Sequence, residues 1–240
     1  MTATTTPFDP EGFAVRLSDV HRRIGSVSSR PDSVRIVAVT KGFGADAVRA
    51  ALGAGLTDVG ENYADELVTK AGLVAPSGDG PRGAGDLQTP PVSPVWHFLG
   101  AVQRNKVARL APLVSWWQGV SRLEEGRAIA RRRPGSIVLV QLDVAGIAGR
   151  GGCRPDQAAE LVAELRHEDL DVAGLMAVGP PGPPEAARAG FARLSALADS
   201  LDLPVRSMGM SDDLEVAVAE GSTMVRLGRA LFGPRPAPLP

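Results

Sequence analysis

The chain has 240 residues, 44% of them hydrophobic and 22% charged, with a formal net charge of −1 and an isoelectric point near 6.3. This is an ordinary globular composition, long enough for two small domains or for a single α/β barrel. It offers no basic field to hold nucleic acid or an anionic membrane, and no apolar run long enough to span a bilayer.

Met1 to Pro10 lacks a basic segment followed by an apolar one, so no secretory signal is expected and these residues read as a flexible N-terminus. From Glu11 to Ile24, Phe13, Leu17, Val20 and Ile24 recur at three- and four-residue steps, which predicts a helix. Val34 to Lys41 is β-branched and apolar. It predicts a buried strand that stops on a lysine ahead of Gly42-Phe43-Gly44. Ala45 to Leu52 is helical and is ended by Gly53 and Gly55. Leu56 to Gly60 predicts a short strand running into Glu61-Asn62-Tyr63, and Ala64 to Leu73 a helix. Ala75 to Pro94 is rich in Gly and Pro and reads as a surface insertion, not as an interdomain linker.

Val95 to Leu99 predicts a strand carrying His97, Gln103 to Leu110 a helix, and Leu113 to Trp117 a strand. The helix from Arg122 to Arg132 ends in an arginine run, where cations suit the helix dipole. Ser136 to Asp143 is a strong strand, followed by a Gly-rich loop from Ala145 to Gly152. Cys153 is the single cysteine, which excludes an internal disulfide framework and fits a reducing, cytoplasmic setting. With it, His21, His97 and His167 show no metal-ligand spacing. The remaining elements are a helix (Asp156 to Arg166), a strand (Val172 to Val178), a helix (Glu185 to Leu201), a strand (Val205 to Met208), a helix (Asp212 to Ala219) and a last strand (Thr223 to Leu227). The Pro-rich residues 234–240 read as a loose tail.

Eight strands alternating with helices imply parallel pairing with right-handed crossovers. Over residues 11–233 they suit an α/β fold of the (β/α)8 TIM-barrel kind, with the insertion at 75–94. An open doubly wound sheet is the runner-up. The nucleotide-binding forms of that fold lose ground because no G-x-G-x-x-G follows the first strand and no P-loop motif occurs.

In a barrel the carboxyl ends of the strands meet at one mouth. Lys41, Asn62, His97, Ser207, Ser211 and Arg226 interrupt apolar strands near those ends and would converge there. Val37, Val39 and Lys41 share one face, which carries an amine into an apolar setting. There desolvation would lower its pKa and make it a nucleophile toward aldehydes; a solvated lysine past a strand end is the plainer account. In Ser207-Met208-Gly209-Met210-Ser211-Asp212-Asp213, Ser211 is placed as the N-cap of a helix whose start could hold a phosphate, or it is an N-cap and nothing more. Arg226 in an apolar strand needs a partner: a ligand, or a buried carboxylate such as Asp143 or Glu61. Gly228 lets backbone approach a ligand, and Arg229 adds charge to a phosphate or is solvated. His97 faces away from Trp96 and Phe98, as a hydrogen-bonded core residue or as a catalyst.

Val37-Ala38-Val39-Thr40-Lys41, Gly60-Glu61-Asn62-Tyr63, Trp96-His97-Phe98-Leu99-Gly100, Gln103-Arg104-Asn105-Lys106, Gly174-Leu175-Met176, Ser207-Met208-Gly209-Met210-Ser211 and Val225-Arg226-Leu227-Gly228 together resemble the pyridoxal-phosphate homeostasis proteins. These are single-domain relatives of the alanine racemase barrel, and the match runs nearly the whole chain. The resemblance implies that Lys41 forms the internal aldimine with pyridoxal 5'-phosphate (PLP). It makes Ser207, Ser211 and the Gly228-Arg229 backbone a phosphate cradle, Arg226 the partner of the pyridine nitrogen, and Asn62 and Met176 walls around the ring. His97 is counted with the cofactor site. Three departures stand out: Arg229 where the family often has a hydroxyl, Ala101 where histidine is common, and a longer insertion.

The implied function is a cytoplasmic, monomeric PLP-binding protein that buffers the cofactor or delivers it to PLP-dependent apo-enzymes, without robust catalysis of its own. A small PLP-dependent amino-acid racemase and a class I aldolase are the alternatives. The racemase relatives carry a second domain with a catalytic tyrosine, whereas this sequence stops at Pro240 and its single tyrosine, Tyr63, belongs to the barrel.

Overall fold

The computed structural model describes residues 9–75, 93–147 and 151–234. Most of the expected N-terminal segment, nearly all of the Pro/Gly-rich insertion and the tail after Pro234 lie outside the described residues. Among the described residues, the strands β1 (Arg35–Val39), β2 (Asp58–Glu61), β3 (Val95–Phe98), β4 (Val114–Val120), β5 (Ile137–Leu142), β6 (Asp171–Ala177), β7 (Val205–Ser207) and β8 (Met224–Leu227) run parallel. They close into a barrel in chain order, β8 returning to β1 with Val37 opposite Arg226.

The helices are α1 (Pro10–Gly25), α2 (Ala45–Gly53), α3 (Ala64–Val74), α4 (Val107–Leu110), α5 (Leu123–Ala130), α6 (Ala158–His167), α7 (Arg188–Ser200), α8 (Leu214–Ala219) and α9 (Arg229–Phe232). α1 shows why the chain starts its helices where it does. Asp9 accepts from the Gly12 N–H at 2.9 Å, Pro10 takes the first position with its φ already set, and Phe13, Leu17, Val20 and Ile24 form the buried stripe. That stripe packs with Leu214, Val218, Leu231 and Phe232, the Phe13 and Phe232 rings stacking at 5.3 Å.

Strand alternation sorts the rest. Ile36, Ala38, Val225 and Leu227 face the helical layer, while Val37, Leu139, Met176 and Met224 fill the barrel interior. Each fully buried side chain of this size contributes about 1.5–3 kcal/mol.

Some expected boundaries move. β1 ends at Val39 rather than Lys41, because Gly42 adopts φ 77° and the Phe43 N–H closes a turn onto the Thr40 carbonyl at 3.0 Å. Lys41 therefore rides in a turn that leaves the sheet. The helix expected from Gln103 is only Val107–Leu110, with turns before it. α8 begins at Leu214, two residues later than Asp212, after a turn closed by Asp213 accepting from the Met210 N–H at 2.6 Å.

Gly174 of β6 marks the tightest strand contact, since a Cβ there would lie 2.0 Å from the Val205 carbonyl oxygen. Gly174→Ala is expected to force β6 and β7 apart and to cost about 1–3 kcal/mol, read as a lower urea midpoint. An unchanged midpoint would show that this strand pair yields freely.

Candidate functional site

The carboxyl ends of the strands surround a cavity of about 630 Å³. Lys41, Asn62, Met176, Ser211, Arg226, Gly228 and Arg229 all line it, completed by Val39, Phe43, Leu99, Val178, Met210, Asp212 and Pro234. The turn after β1 and the interior face of β8 bring Lys41 and Arg226 to one space although 185 positions separate them in sequence.

Arg226 is 5% exposed. Its Nη1 donates to the Ser207 carbonyl at 2.6 Å and to Ser207 Oγ at 2.7 Å, and its Nη2 donates to the Ala177 carbonyl at 2.7 Å. Neither Asp143 nor Glu61 pairs with it, and among the described residues no carboxylate forms an ion pair with it. Burial lowers its pKa to about 10, against the attraction of Asp213, so it keeps its charge at neutral pH. A cation held by neutral carbonyls on a cavity wall is suited to an electron-rich ligand atom.

At the other end of the cavity, Ser211 is not the N-cap of α8; that position belongs to Asp213. Its hydroxyl instead accepts from the Ala230 N–H at 3.0 Å, which ties the β7 turn to the start of α9. Gly228 lies where a Cβ would stand 3.3 Å from the Val39 carbonyl, so its backbone forms a close-packed wall of the cavity. Arg229 pairs with Asp212, both exposed at the mouth, so its charge is already matched. Asn62 Oδ1 is buried, with no hydrogen-bond partner among the described residues.

An ionic cluster, buried at Glu61 and Lys70 and half-buried at Glu66, holds the Lys41 turn. Lys70 of α3 donates to the Thr40 carbonyl at 2.7 Å, to Glu61 Oε1 at 2.6 Å and to Glu66 Oε2 at 3.1 Å. Thr40 Oγ1 donates to Glu61 at 2.6 Å, and the Gly42 N–H donates to Glu66 at 2.9 Å. The peptide groups flanking Lys41 are thus gripped on both sides. Burial raises the Glu61 pKa, opposed by Lys70 and Thr40. Burial would also raise Glu66, but the Gly42 N–H and Lys70 outweigh it and hold that carboxyl below its usual range.

Two expected site residues stand elsewhere. His97 is fully buried inside the barrel, 2.7 Å from Asp58 Oδ1 and stacked on Trp116, and does not line the cavity. β3 stops at Phe98, so His97 lies below the mouth. Ser207 is also fully buried, and its hydroxyl serves Arg226 and Gln118 rather than the cavity.

The profile of the alanine racemase N-terminal domain matches residues 15–236. The pyridoxal phosphate homeostasis protein of Pseudomonas aeruginosa is 39% identical over 213 residues, covering 85% of this chain and 86% of the relative. That of Escherichia coli K12 is 32% identical over 240 residues, covering 93% and 97%. The chain belongs to the pyridoxal phosphate homeostasis proteins, within the alanine racemase N-terminal-domain family. Among solved structures, PipY of Synechococcus elongatus, determined with and without PLP, superposes with a TM-score of 0.72 to 0.73 at 28% identity, covering 89% of this chain and all of that one. An alanine racemase of Clostridium difficile, 15% identical with a TM-score of 0.69, shares the fold.

For this homeostasis-family chain, sequence reading missed Lys70 and Gln118, and it offered Glu61 only as a possible partner of Arg226, whereas Glu61 pairs with Lys70. Glu66 and Lys70 stand four apart on a helix and look like a surface pair; only the burial of Lys70 to 5% exposure separates them from one. Lys70→Met would leave Glu61 buried without its cation. At pH 8 the loss of stability is expected to be about 3–5 kcal/mol. It should shrink toward pH 5 as Glu61, its pKa raised, takes up a proton. Urea unfolding at the two pH values checks both the size and the sign.

Proposed function

We propose that this chain holds PLP in the cavity between Lys41, Arg226 and Gly228, as a PLP homeostasis protein that keeps the cofactor without robust catalysis of its own. The observation that carries the reading is that a lysine shares one cavity with a buried arginine that forms no ion pair with a carboxylate among the described residues. The residues present fit the group. Arg226 offers donors to a ring nitrogen. Val39, Leu99 and Met176 offer apolar walls, and Asn62 offers an unmet polar atom. The Ser211 turn and the Gly228 backbone form the end suited to a phosphate. When bound, the cofactor supplies an aldehyde that an amine can capture and a ring that can accept electron density.

Lys41 is the residue we assign as the covalent anchor. Arg226 stays protonated and so disfavours a proton on the ring nitrogen, which weakens the ring as an electron sink. Racemisation would need an acid and a base on opposite faces of a substrate carbon. The described lining residues include no tyrosine, histidine or cysteine, and Tyr63 is 61% exposed beside a neighbouring hollow of about 370 Å³. These features favour a holder over a racemase. A cytoplasmic monomer that passes PLP to apo-enzymes completes the reading. Among the described residues no helix is long and apolar enough to cross a membrane, and no cluster suits a metal.

Lys41→Ala is expected to abolish the visible absorption of the PLP-loaded protein and the borohydride-fixed adduct seen by mass spectrometry. An adduct that persists would assign the anchor elsewhere, Lys106 being the next candidate. Pyridoxal without its phosphate should bind at least about tenfold more weakly than PLP, because charge-assisted bonds are the strong ones. Equal affinities would remove the phosphate from the Ser211 and Gly228 end. Incubated with common L-amino acids, the loaded protein should yield at most traces of D-product by chiral chromatography. Steady turnover dependent on Lys41 would promote the racemase.

A further inference from the structure

Behind the cavity, Arg226 heads a chain of buried side chains that runs to the floor of the barrel. Its Nη1 donates to Ser207 Oγ at 2.7 Å, and Ser207 donates to Gln118 Oε1 at 2.7 Å. The Gln118 amide nitrogen lies 2.7 Å from His97 Nδ1, and His97 Nε2 lies 2.7 Å from Asp58 Oδ1. Ser207, Gln118 and His97 are all fully buried. Asp58 opens β2 and Arg35 opens β1, so the far end sits at the amino ends of the strands. There the Arg35 guanidinium lies 3.6 Å from Asp58 and covers the Trp116 ring, which in turn stacks on His97.

With the Gln118 oxygen toward Ser207 and its nitrogen toward His97 and the Met224 sulfur, the chemistry of the groups sets the direction of every bond. Arginine only donates and an ionised carboxylate only accepts. Ser207 Oγ accepts from Arg226 and passes its own hydrogen to the Gln118 carbonyl. The Gln118 amide therefore presents N–H to His97, whose Nδ1 must be bare and whose proton sits on Nε2, toward Asp58. The second amide hydrogen of Gln118 meets Met224 Sδ at 3.2 Å. This order is consistent only with a neutral His97. A second proton, on Nδ1, would face the Gln118 N–H. The amide would have to turn over, withdrawing the acceptor from Ser207 and setting its oxygen against the Met224 sulfur.

We propose that Gln118 and His97 are positioning residues for Arg226, holding its guanidinium at the cavity through Ser207 and loosening that hold when His97 is protonated. The link to the cofactor rests on the reading that Arg226 faces the bound ring. The charged groups around His97 are Asp58 on β2 and Arg35 on β1, with Arg226 on β8 reached through Ser207; its β4 neighbours Trp116 and Gln118 are neutral. Burial, aided by Arg35 and opposed by Asp58, lowers the imidazole pKa below its ordinary 6.5. The sign follows. The arrangement is fully present above pH 6.5 and is lost as pH falls through the lower folded-state value.

The first test needs no cofactor. In ¹⁵N NMR of the full chain at pH 7.5, the ring signal missing from His97→Asn should report a neutral imidazole protonated at Nε2. It should shift in Ser207→Ala, which removes the relay hydroxyl at little steric cost. An imidazolium, a proton on Nδ1, or a ring signal indifferent to Ser207→Ala overturns the proposal. The second test uses PLP. Gln118→Met should weaken binding roughly tenfold and move the visible maximum while the borohydride-fixed adduct on Lys41 remains. Adding Ser207→Ala should cost little more, because both changes cut one chain; fully additive losses overturn the proposal. A wild-type protein that takes up no PLP would sink the cofactor reading and leave the NMR result to decide the chain by itself.

Discussion

A guanidinium taken out of water inside a barrel is costly unless its donors are met, and much of this molecule's interior is arranged around meeting those of Arg226. Two carbonyls and one hydroxyl receive it, from Ser207 and Ala177, at the carboxyl ends of β7 and β6. Those acceptors are available only because the short strands β7 and β8 sit in the register that closes the barrel. The charge is thereby placed against the cavity, and among the described residues no carboxylate forms an ion pair with it.

Lys41 is held by a different device. It sits in a turn beyond its strand, and a turn alone would leave the amine poorly aimed. The Glu61–Lys70–Glu66 cluster compensates by gripping the Thr40 carbonyl and the Gly42 N–H from α3. One basic group is set by a strand and carbonyls, the other by a turn and buried ions. In both settings the polar groups beside the basic side chain are met by specific partners.

The barrel was legible because its signals are local. Alternating β-branched runs, glycine stops and the stripe of α1 each depend on residues a few positions apart, and each matches an observed element. The ends of elements were less legible. β1 stops short of Lys41 because a single positive φ at Gly42 ends the pairing, and α8 starts late because Asp213 binds the Met210 N–H first.

The sequence by itself determined the strand count, the inward parity of Arg226 and, through motif resemblance, the family; Lys41, expected on the strand, reaches the cavity from the turn after it. Tertiary structure alone decided the partners. Glu66 and Lys70 look like a surface pair until α3 packs against β2 and buries Lys70. His97 and Ser207 look like mouth residues, but His97 lies inside the end of β3 against Asp58, and Ser207, though it ends β7, is buried against Arg226. Gln118 carries no signal at all in its own strand, since its role exists only between His97 and Ser207. The physical reason is common to all of them. Periodicity reports which way a side chain points, but a buried polar group is defined by what it meets there, and those neighbours come from strands far away along the chain.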